Sequence, residues 1–473
     1  MEISNNLIFL KSALTFENPF ISIEETVKWL TLQKEKINLS TEKIAFEDLE
    51  LWHFDQEKHN LRHQSGKFFT IEGINVTTNW GGVPSWDQPI INQPEIGFLG
   101  FITKEFNGVL YFLIQAKIEP GNINYVQLSP TLQATKSNYT RVHKGRTPDY
   151  LEYFLNITPK QKLLDQLQSE QGARFLRKRN RNIIIKVDEE IEVKDNYIWL
   201  TLAQIKALMN YDNLVNMDTR TVISGIQYGE INEGIVDLLT FLGDTQLKTF
   251  QSSLLKSFLN ANIAKHSIDE IINFITLQKS HYELEVVNKP LQNLDNWVIE
   301  KDQIRHVDNK YFKVIPVKVS IGNREVINWT QPMIEPAQEG LCAFIGKMIG
   351  GVLHFIVQAK LECGNFDTIE LAPTVQCLTG NYRQTKEEAL PFLHYVLNAP
   401  EEKVVFDTLQ SEEGGRFYKE QNRNMIVIAG DEMNEALPSN YIWMTLNQLQ
   451  TFLKFNNFLN IQARSLLAAI QFA

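Results

Sequence analysis

The sequence is poor in cysteine, in excess positive charge and in long apolar runs. It holds only three cysteines among 473 residues, with no CxxC spacing, which is typical of reduced thiols and argues against a disulfide framework. The net charge of -10 argues against a protein that tracks nucleic-acid phosphates. The longest apolar stretch, residues 341–357, is broken by Lys347 and is too short to span a bilayer. With no secretion signal in its first residues, we expect a cytoplasmic protein without a membrane or nucleic-acid partner.

Several catalytic signatures are also missing. The chain contains no GxGxxG after a strand pattern, no GxxxxGK[ST], no HExxH and no GxSxG. Dinucleotide-binding, P-loop, zincin and esterase interpretations therefore lack the residues that carry their chemistry.

What the chain does contain is an internal duplication. Residues 88–122 align without a gap on residues 331–365, with about half of the positions identical. LQSEQGARF at 167–175 returns as LQSEEGGRF at 409–417. The offset of about 243 residues far exceeds a solenoid period of roughly 20–50 residues. We therefore predict two tandem domains, residues 1–240 and residues 241–473, which we call the first and second copy.

Each copy mixes helix and strand patterns, which predicts an α/β class fold with an α+β mixed sheet. Ser22 and Glu25 have capping-box spacing before an amphipathic helix. Residues 108–118 are rich in β-branched and aromatic side chains, as strands are. Residues 161–175 have a helical period that ends at Gly172, so a further helix is predicted there.

The densest polar string lies on the strand pattern of residues 108–118 and just beyond it. Alternation places Gln115, Lys117 and Glu119 on one face, and the second copy repeats them at Gln358, Lys360 and Glu362. A solvated strand face is the simpler interpretation of one such string, and two matched copies weaken it. We name the surroundings of Lys117 and Glu119 the first pocket, and those of Lys360 and Glu362 the second pocket.

Other polar and aromatic residues near these strings are candidates for substrate binding, each with a structural alternative. Hydroxyl and amide groups can bind a sugar or stabilise a turn. Arginines can bind a diphosphate or form an ion pair. Tryptophans can stack on a base or pack in the core. In the first pocket they are Trp86, Gln88, Gln115, Asn122, Ser129, Thr131, Tyr139, Arg141, Arg174, Arg181 and Arg220. In the second pocket they are Trp329, Gln331, Gln358, Asn365, Thr374, Tyr382, Arg416, Arg423 and Arg464.

The order of these motifs resembles one family along nearly the whole chain. SWDQP, QAKIEPGN, VQLSPTLQATKSNYTRVH, WTQP, SEEGGRFY and NIQARSLLA resemble the NDP-hexose 2,3-dehydratases of deoxysugar biosynthesis. The resemblance implies a Nudix-like fold, a homodimer, and a dTDP-linked 4-keto-6-deoxy sugar as substrate. It also implies functional coupling to a 3-ketoreductase, which consumes the 3,4-diketo-2,6-dideoxy product.

A Nudix box would supply glutamates for magnesium, but this sequence departs from it. Asn122 stands where AKIEPGN should continue into glutamate. At the family spacing the helix positions fall on Thr131, Ala134 and Thr135, which cannot hold a hard cation. We therefore expect no metal and no other cofactor, and a magnesium-dependent sugar-nucleotide hydrolase is disfavoured. A non-catalytic nucleotide-sugar binding protein remains an alternative.

The residues present suit an elimination next to a ketone. In a 4-keto sugar the C3 proton is acidic, so a base removes it, and the C2 hydroxyl then leaves with help from an acid. We assign Glu119 as the base or its support, Lys117 as the cation at the C4 oxygen, and His143 as a further catalytic candidate. The first pocket is favoured as catalytic because the second copy lacks matches for Asp87, Arg141 and His143.

Overall fold

The computed structural model describes residues 5–136, 147–228, 249–259, 263–322, 327–379 and 390–472. The predicted boundary between residues 240 and 241 lies outside these ranges. No helix in the described ranges is long and apolar enough to cross a membrane. Both copies mix helices with sheets, so the α/β prediction is confirmed.

Helices and strands follow one another in the same order in both copies. The helices of the described ranges are α1 Asn5–Leu14, α2 Ile23–Glu35, α3 Leu151–Leu155, α4 Leu202–Leu208, α5 Met217–Ser224, α6 Thr249–Leu259, α7 Ile268–His281, α8 Leu393–Leu397, α9 Leu446–Leu453 and α10 Ile461–Ala469. The strands before residue 230 are β1 Asn38–Lys43, β2 Trp52–Phe54, β3 Leu61–His63, β4 Thr70–Thr78, β5 Ser85–Asn92, β6 Phe98–Phe106, β7 Val109–Ile118, β8 Val126–Ser129, β9 Leu132–Ala134, β10 Lys162–Ser169, β11 Arg179–Lys186 and β12 Tyr197–Thr201. The later strands are β13 Leu284–Lys289, β14 Trp297–Ile299, β15 Ile304–His306, β16 Phe312–Gly322, β17 Ile327–Pro336, β18 Gly340–Ile349, β19 Val352–Lys360, β20 Glu370–Ala372, β21 Val375–Leu378, β22 Val404–Ser411, β23 Gln421–Ala429 and β24 Tyr441–Thr445.

Each copy builds one large mixed sheet and most of one smaller antiparallel sheet. The large sheet of the first copy has seven strands in the order β10-β11-β6-β7-β12, with β8 on β7 and β9 on β6. The second copy repeats it as β22-β23-β18-β19, extended by β20, β21 and β24. Only β6–β11 and β18–β23 pair in parallel among the strand pairs described. One continuous apolar core contains Phe112 and Phe355, so it is shared by both large sheets.

The smaller sheets exchange a strand between the copies. Strand β1 of the first copy pairs antiparallel with β16 of the second, from Asn38 opposite Gly322 to Lys43 opposite Val317. In return β13 of the second copy pairs with β4 of the first. The copies therefore contribute to each other's sheets and do not form two separate layers.

A close contact between backbones also joins the copies. The amide of Gly121 donates to the carbonyl of Gly414 at 2.8 Å, and Gly364 donates to Gly172 at 2.7 Å. A Cβ on Gly121 or on Gly364 would lie 1.8 Å from a carbonyl oxygen of the other copy. Only glycine fits at these positions. The repeated Pro-Gly or Cys-Gly turn therefore docks on the repeated SExG turn of the other copy.

The helix predicted at residues 161–175 is wrong. Residues 162–169 form β10, which pairs antiparallel with β11 and contains a bulge between Lys162 and Leu164. Adjacent leucines gave a helical spacing, but hydrogen bonds to the neighbouring strand override this local preference. The second copy carried the better signal, since VVFDTLQS at Val404–Ser411 begins with β-branched residues.

Other local predictions are confirmed. The Ser22 side chain accepts from the Glu25 amide and caps α2. The Glu25 side chain accepts from the Ser22 amide, which completes the capping box. The strand predicted at residues 108–118 is β7.

Candidate active site

The first pocket is composite, because its walls come from both copies. Strand β7 supplies Lys117 and leads directly to Glu119, and the following turn supplies Asn122. Asp218 lies in the first turn of α5. The second copy contributes the turn that contains Glu413 and docks on Gly121.

Glu119 is held by two side-chain amides. Its Oε1 accepts from Gln133 Nε2 at 2.7 Å and its Oε2 accepts from Asn122 Nδ2 at 3.2 Å. Gln133 is itself oriented by Ser129 and Asn216, which donate to its Oε1. An ionised carboxylate only accepts hydrogen bonds, so this arrangement suits a base that waits to receive a proton.

Two further carboxyl groups lie in the same pocket. Asp218 is 3% exposed, and no described residue forms a hydrogen bond with its carboxyl group. Burial and the charges of Glu413 and Glu119 raise the pKa of Asp218 well above its usual range. Burial likewise raises the pKa of Glu413 to about 7, with Arg416 opposing the shift. Both groups therefore retain protons at higher pH than ordinary carboxyls do.

Lys117 is a cation whose charge acts on the carboxyl group of Asp218. It is half-buried on β7 and forms neither a hydrogen bond nor an ion pair with any described residue. Its charge opposes the rise in the pKa of Asp218, so the two side chains face a common space. A cation without a partner at this position is available to a bound ligand.

The second pocket repeats the frame with different carboxyl groups, since Glu370, whose pKa is raised to about 7 by burial and by the charge of Glu362, stands where the first copy has Gln127. Gln376 donates to Glu362 Oε1 at 2.8 Å, whereas Glu362 Oε2 and both polar atoms of Asn365 have no partner. Burial raises the pKa of Glu362. By the alignment of the copies, Gln462 stands in place of Asp218, and Gln171 in place of Glu413.

Because each SExG turn docks on the other copy, two arginines lie in the opposite pocket to the one predicted. Arg174 is close enough to Glu362 to oppose the rise in its pKa, so it lies in the second pocket. Arg416 acts on Glu413 in the same way and lies in the first pocket. The SExG turn that carries each arginine crosses to the other copy, which the alignment alone did not indicate.

The other arginines bind protein groups. Arg181 forms two 2.7 Å bonds to Asp165, and Arg423 pairs in the same way with Asp407. Arg220 is buried and donates to Gln410 and Ser411 of the second copy. Arg464 donates to Ser169 and Thr221, both in the first copy. All four arginines therefore bind protein groups in this structure, as the structural alternative to diphosphate binding predicts.

The remaining candidates also have protein partners. Trp86 donates to Gln88 at 2.9 Å and Trp329 to Gln331 at 3.0 Å. The side-chain amides of the two glutamines donate to the carbonyls of Ala173 and Gly415. Each Trp–Gln pair therefore borders a turn that docks on the other copy. The hydroxyls of Thr131 and Thr374 bond to the backbone within their sheets. Gln115 is half-buried on β7, and Gln358 donates to Tyr441.

Four predicted residues lie outside the described ranges, namely Tyr139, Arg141, His143 and Tyr382. Asp87, which favoured the first pocket, accepts from Lys289 and from the amide of Asp295. It therefore joins β5 to the exchanged strand of the second copy. No group of three His, Cys, Asp or Glu among the described residues is placed to hold a metal ion.

The sequence reasoning missed Asp218 and Glu413. The signal was available, because both are positions at which one copy has a carboxylate and the other has glutamine. Most predicted site residues are positions that both copies share, with Ser129, Arg141 and His143 as exceptions. The second copy shows the same asymmetry in the opposite direction at Glu370, where the first copy has Gln127.

Comparisons with known proteins match the whole duplication. The family model of NDP-hexose 2,3-dehydratases matches residues 23–226 and again residues 268–470. The chain is 46% identical over 468 residues to the dTDP-4-dehydro-6-deoxy-alpha-D-glucopyranose 2,3-dehydratase of Saccharopolyspora spinosa, covering 99% of this chain and 95% of the relative. Proteins of the same description from Amycolatopsis orientalis and Streptomyces violaceoruber are 39% and 41% identical. These cover 98% and 91% of this chain, and 93% and 92% of the relatives.

Proposed function

The chain belongs to the NDP-hexose 2,3-dehydratase family, and we propose that it removes the C2 hydroxyl of dTDP-4-keto-6-deoxyglucose in the first pocket. The product is the 3,4-diketo-2,6-dideoxy sugar. The observation that carries the choice of pocket is the carboxylate of Glu119, which accepts hydrogen bonds from two side-chain amides and lies two residues from Lys117. The glutamate of the second pocket accepts from one side-chain amide, and glutamines stand there in place of Asp218 and Glu413.

The first step is proton abstraction from C3. The ketone at C4 acidifies this proton, and Glu119 accepts it while an enolate forms. Lys117 stabilises the negative charge that develops on the C4 oxygen, as an oxyanion donor does in a water-poor site. The C2–O bond then breaks, a double bond forms between C2 and C3, and water is released. The C3 enol ketonises when C2 takes up a proton.

Access to the site is supported by a groove at the edge of the first copy. It is lined by the segment 94–98 together with Lys136 and Arg181, and its volume is about 530 Å³. Lys178, which acts on Glu413, donates to the carbonyl of Glu95 in this segment. A groove that is flanked by the cations of Lys136 and Arg181 suits a diphosphate-linked sugar.

Three further parts of the proposal come from the sequence and the resemblance. They are a homodimer, coupling to a 3-ketoreductase that reduces the reactive diketone, and a cytoplasmic location. We also propose that the reaction proceeds without a metal ion, because neither copy retains the glutamates of a Nudix box.

One incubation tests the reaction. The EDTA-dialysed protein is mixed with dTDP-4-keto-6-deoxyglucose and a 3-ketoreductase. We expect a reduced dTDP-2,6-dideoxy sugar at a rate that added magnesium does not change. Release of dTMP would instead identify a hydrolase, and unchanged sugar a binding protein. Activity that returns only with magnesium would contradict the metal-free mechanism.

Replacement of Lys117 tests the assigned cation. Lys117→Met keeps the aliphatic stem but removes the charge, so we expect kcat to fall by about 10²-fold. KM should change much less, because the charge on the C4 oxygen develops mainly during the reaction. Lys360→Met is the matched change in the second pocket and should affect kcat less. Equal losses in both variants would contradict the choice of the first pocket.

A further inference from the structure

Hydrogen bonds between side chains connect the base of the first pocket to helix α5. Gln133 lies on β9, where Leu132 and Ala134 are buried in the apolar core and Gln133 lies on the opposite face of the strand. Its Nε2 donates to Glu119 Oε1 at 2.7 Å. The proposed mechanism uses Glu119 but assigns no role to the residues behind it.

Two donors fix the orientation of the Gln133 amide. Its Oε1 accepts from Ser129 Oγ at 2.8 Å and from Asn216 Nδ2 at 3.1 Å. An amide oxygen only accepts hydrogen bonds, and an amide nitrogen only donates them. The two donors therefore hold the oxygen on their side, which leaves Nε2 to face Glu119. An amide rotated by a half turn would instead place its oxygen against the carboxylate, which has no proton to donate.

Asn216 is fixed by the helix that it caps. Its Oδ1 accepts from the Thr219 amide at 2.9 Å, as the N-cap of α5. The side-chain oxygen is thereby committed to the helix, and Nδ2 remains to donate to Gln133. Asn216 is 2% exposed and Ser129 is fully buried, so bulk water does not compete for these hydrogen bonds.

The second copy holds the segment that carries Asn216. The amide of Asn213 donates to the carbonyl of Leu409 at 2.8 Å. Arg220, which is anchored on the second copy, donates to the carbonyl of Val215 at 2.9 Å. The position of Asn216 therefore depends on the second copy, although its side chain bonds within the first.

The two copies share this arrangement except at one position. In the second copy Asn460 donates to Gln376 at 2.7 Å, and Gln376 donates to Glu362 at 2.8 Å. Ala372 stands in place of Ser129, so the second amide lacks the hydroxyl donor of the first. The fold therefore accommodates either residue at this position, and the hydroxyl is specific to the first pocket.

We propose that Ser129 and Asn216 are positioning residues for proton abstraction, which act on Glu119 by fixing the amide of Gln133. This inference rests on the proposed function and deepens it by naming the residues that prepare the base. Glu119 accepts two amide hydrogen bonds, and an ionised carboxylate has about four acceptor sites. The fixed amides hold the remaining sites in one direction, toward the C3 proton. Such positioning matters because a misplacement of about 1 Å can cost about 10²-fold in rate.

Two substitutions remove the donors without adding a charge. Ser129→Ala introduces the residue that the second copy carries. Asn216→Ser keeps a good N-cap for α5 but has a side chain too short to reach Gln133. We expect each to lower kcat by about 10-fold, as the loss of one hydrogen bond would, and the double variant by about 10²-fold. KM should change much less, because both residues act through Gln133. The matched changes Ala372→Ser and Asn460→Ser in the second pocket should leave kcat unchanged.

The pH profile separates positioning from a structural role. An amide donor favours the ionised form of a carboxyl group, so a base that loses its donor needs a higher pH to act. The acidic limb of kcat/KM should therefore move to higher pH by about one unit in the double variant. The profile is measured over the pH range in which urea unfolding shows the variant to be folded. A loss of stability alone would leave the limb in place.

The charged groups around Glu119 are the same in the wild type and in these variants. Burial raises the pKa values of Asp218 and Glu413 and lowers that of Arg416, and the charge of Glu119 shifts all three upward. These groups lie on α5 and on the docked turn of the second copy, and Lys117 lies two residues away on β7. A displaced limb therefore reports on the Gln133 amide.

The outcomes are distinct. An unchanged kcat in the double variant would overturn the positioning role, as would a lower kcat with the acidic limb in its wild-type place. A wild type that forms no 2,6-dideoxy sugar would overturn the proposed function and the positioning role together. An active wild type with an equally active Glu119→Gln variant would overturn the assignment of the base, and with it the positioning role, while the dehydratase reaction would stand.

Discussion

Glu119→Gln is expected to lower kcat for dehydration by about 10²–10³-fold while the protein stays folded. The substitution keeps the shape of the side chain and its place beside Gln133 and Asn122. It removes the negative charge that accepts the C3 proton. The measurement is the rate of the 2,6-dideoxy product in the presence of excess 3-ketoreductase, compared with the unfolding midpoint of each protein in urea.

The duplication supplies the matched control for this result. Glu362→Gln makes the same change at a side chain with the same amide donor, Gln376. We expect a much smaller effect on kcat, because the proposed reaction takes place in the first pocket. If the two glutamates were buried structural groups, both variants would lose stability equally and activity would fall in parallel. A larger loss for Glu362→Gln would move the catalytic site to the second pocket.

The sequence predicted the shared features of the fold because these are local or repeated. The α2 capping box and the run of β7 depend on neighbouring residues, and the alignment fixed the duplication. The exchange of β1 and β13 between the copies could not be predicted from neighbouring residues or from the alignment. Both are short strands with alternating exposure, and nothing within such a segment identifies the sheet that it joins. Strand pairing of this kind is decided by contacts distant in sequence.

The choice of site residues followed the same repeated features. Lys117 and Glu119 were predicted because they share a strand face that recurs in the second copy. Arg174 and Arg416 were grouped with the wrong strings because each turn crosses to the other copy at Gly172 or Gly414. In the sequence, a close approach of two glycines is visible only as a glycine that both copies carry. The sequence does not show which segment that glycine contacts.

Arg220→Met should destabilise the protein by about 3–5 kcal/mol, the largest loss of stability that we expect from one substitution. Arg220 is 1% exposed, and its guanidinium donates to Gln410 Oε1 at 2.7 Å and to the Ser411 carbonyl at 2.6 Å. Burial lowers its pKa to about 10, so it remains charged near neutral pH. Methionine fills a similar volume but leaves both acceptors buried without a donor, and each such group costs about 1–3 kcal/mol.

The effect should be specific to arginines that cross between the copies. Arg464→Met breaks the matching contacts to Ser169 and Thr221 and should cost a similar amount. Arg181→Met removes a partly exposed ion pair with Asp165, which is worth at most about 1 kcal/mol. Urea unfolding followed by circular dichroism measures all three. A loss for Arg220→Met no larger than that for Arg181→Met would show that the copies are held together by their shared core and exchanged strands alone.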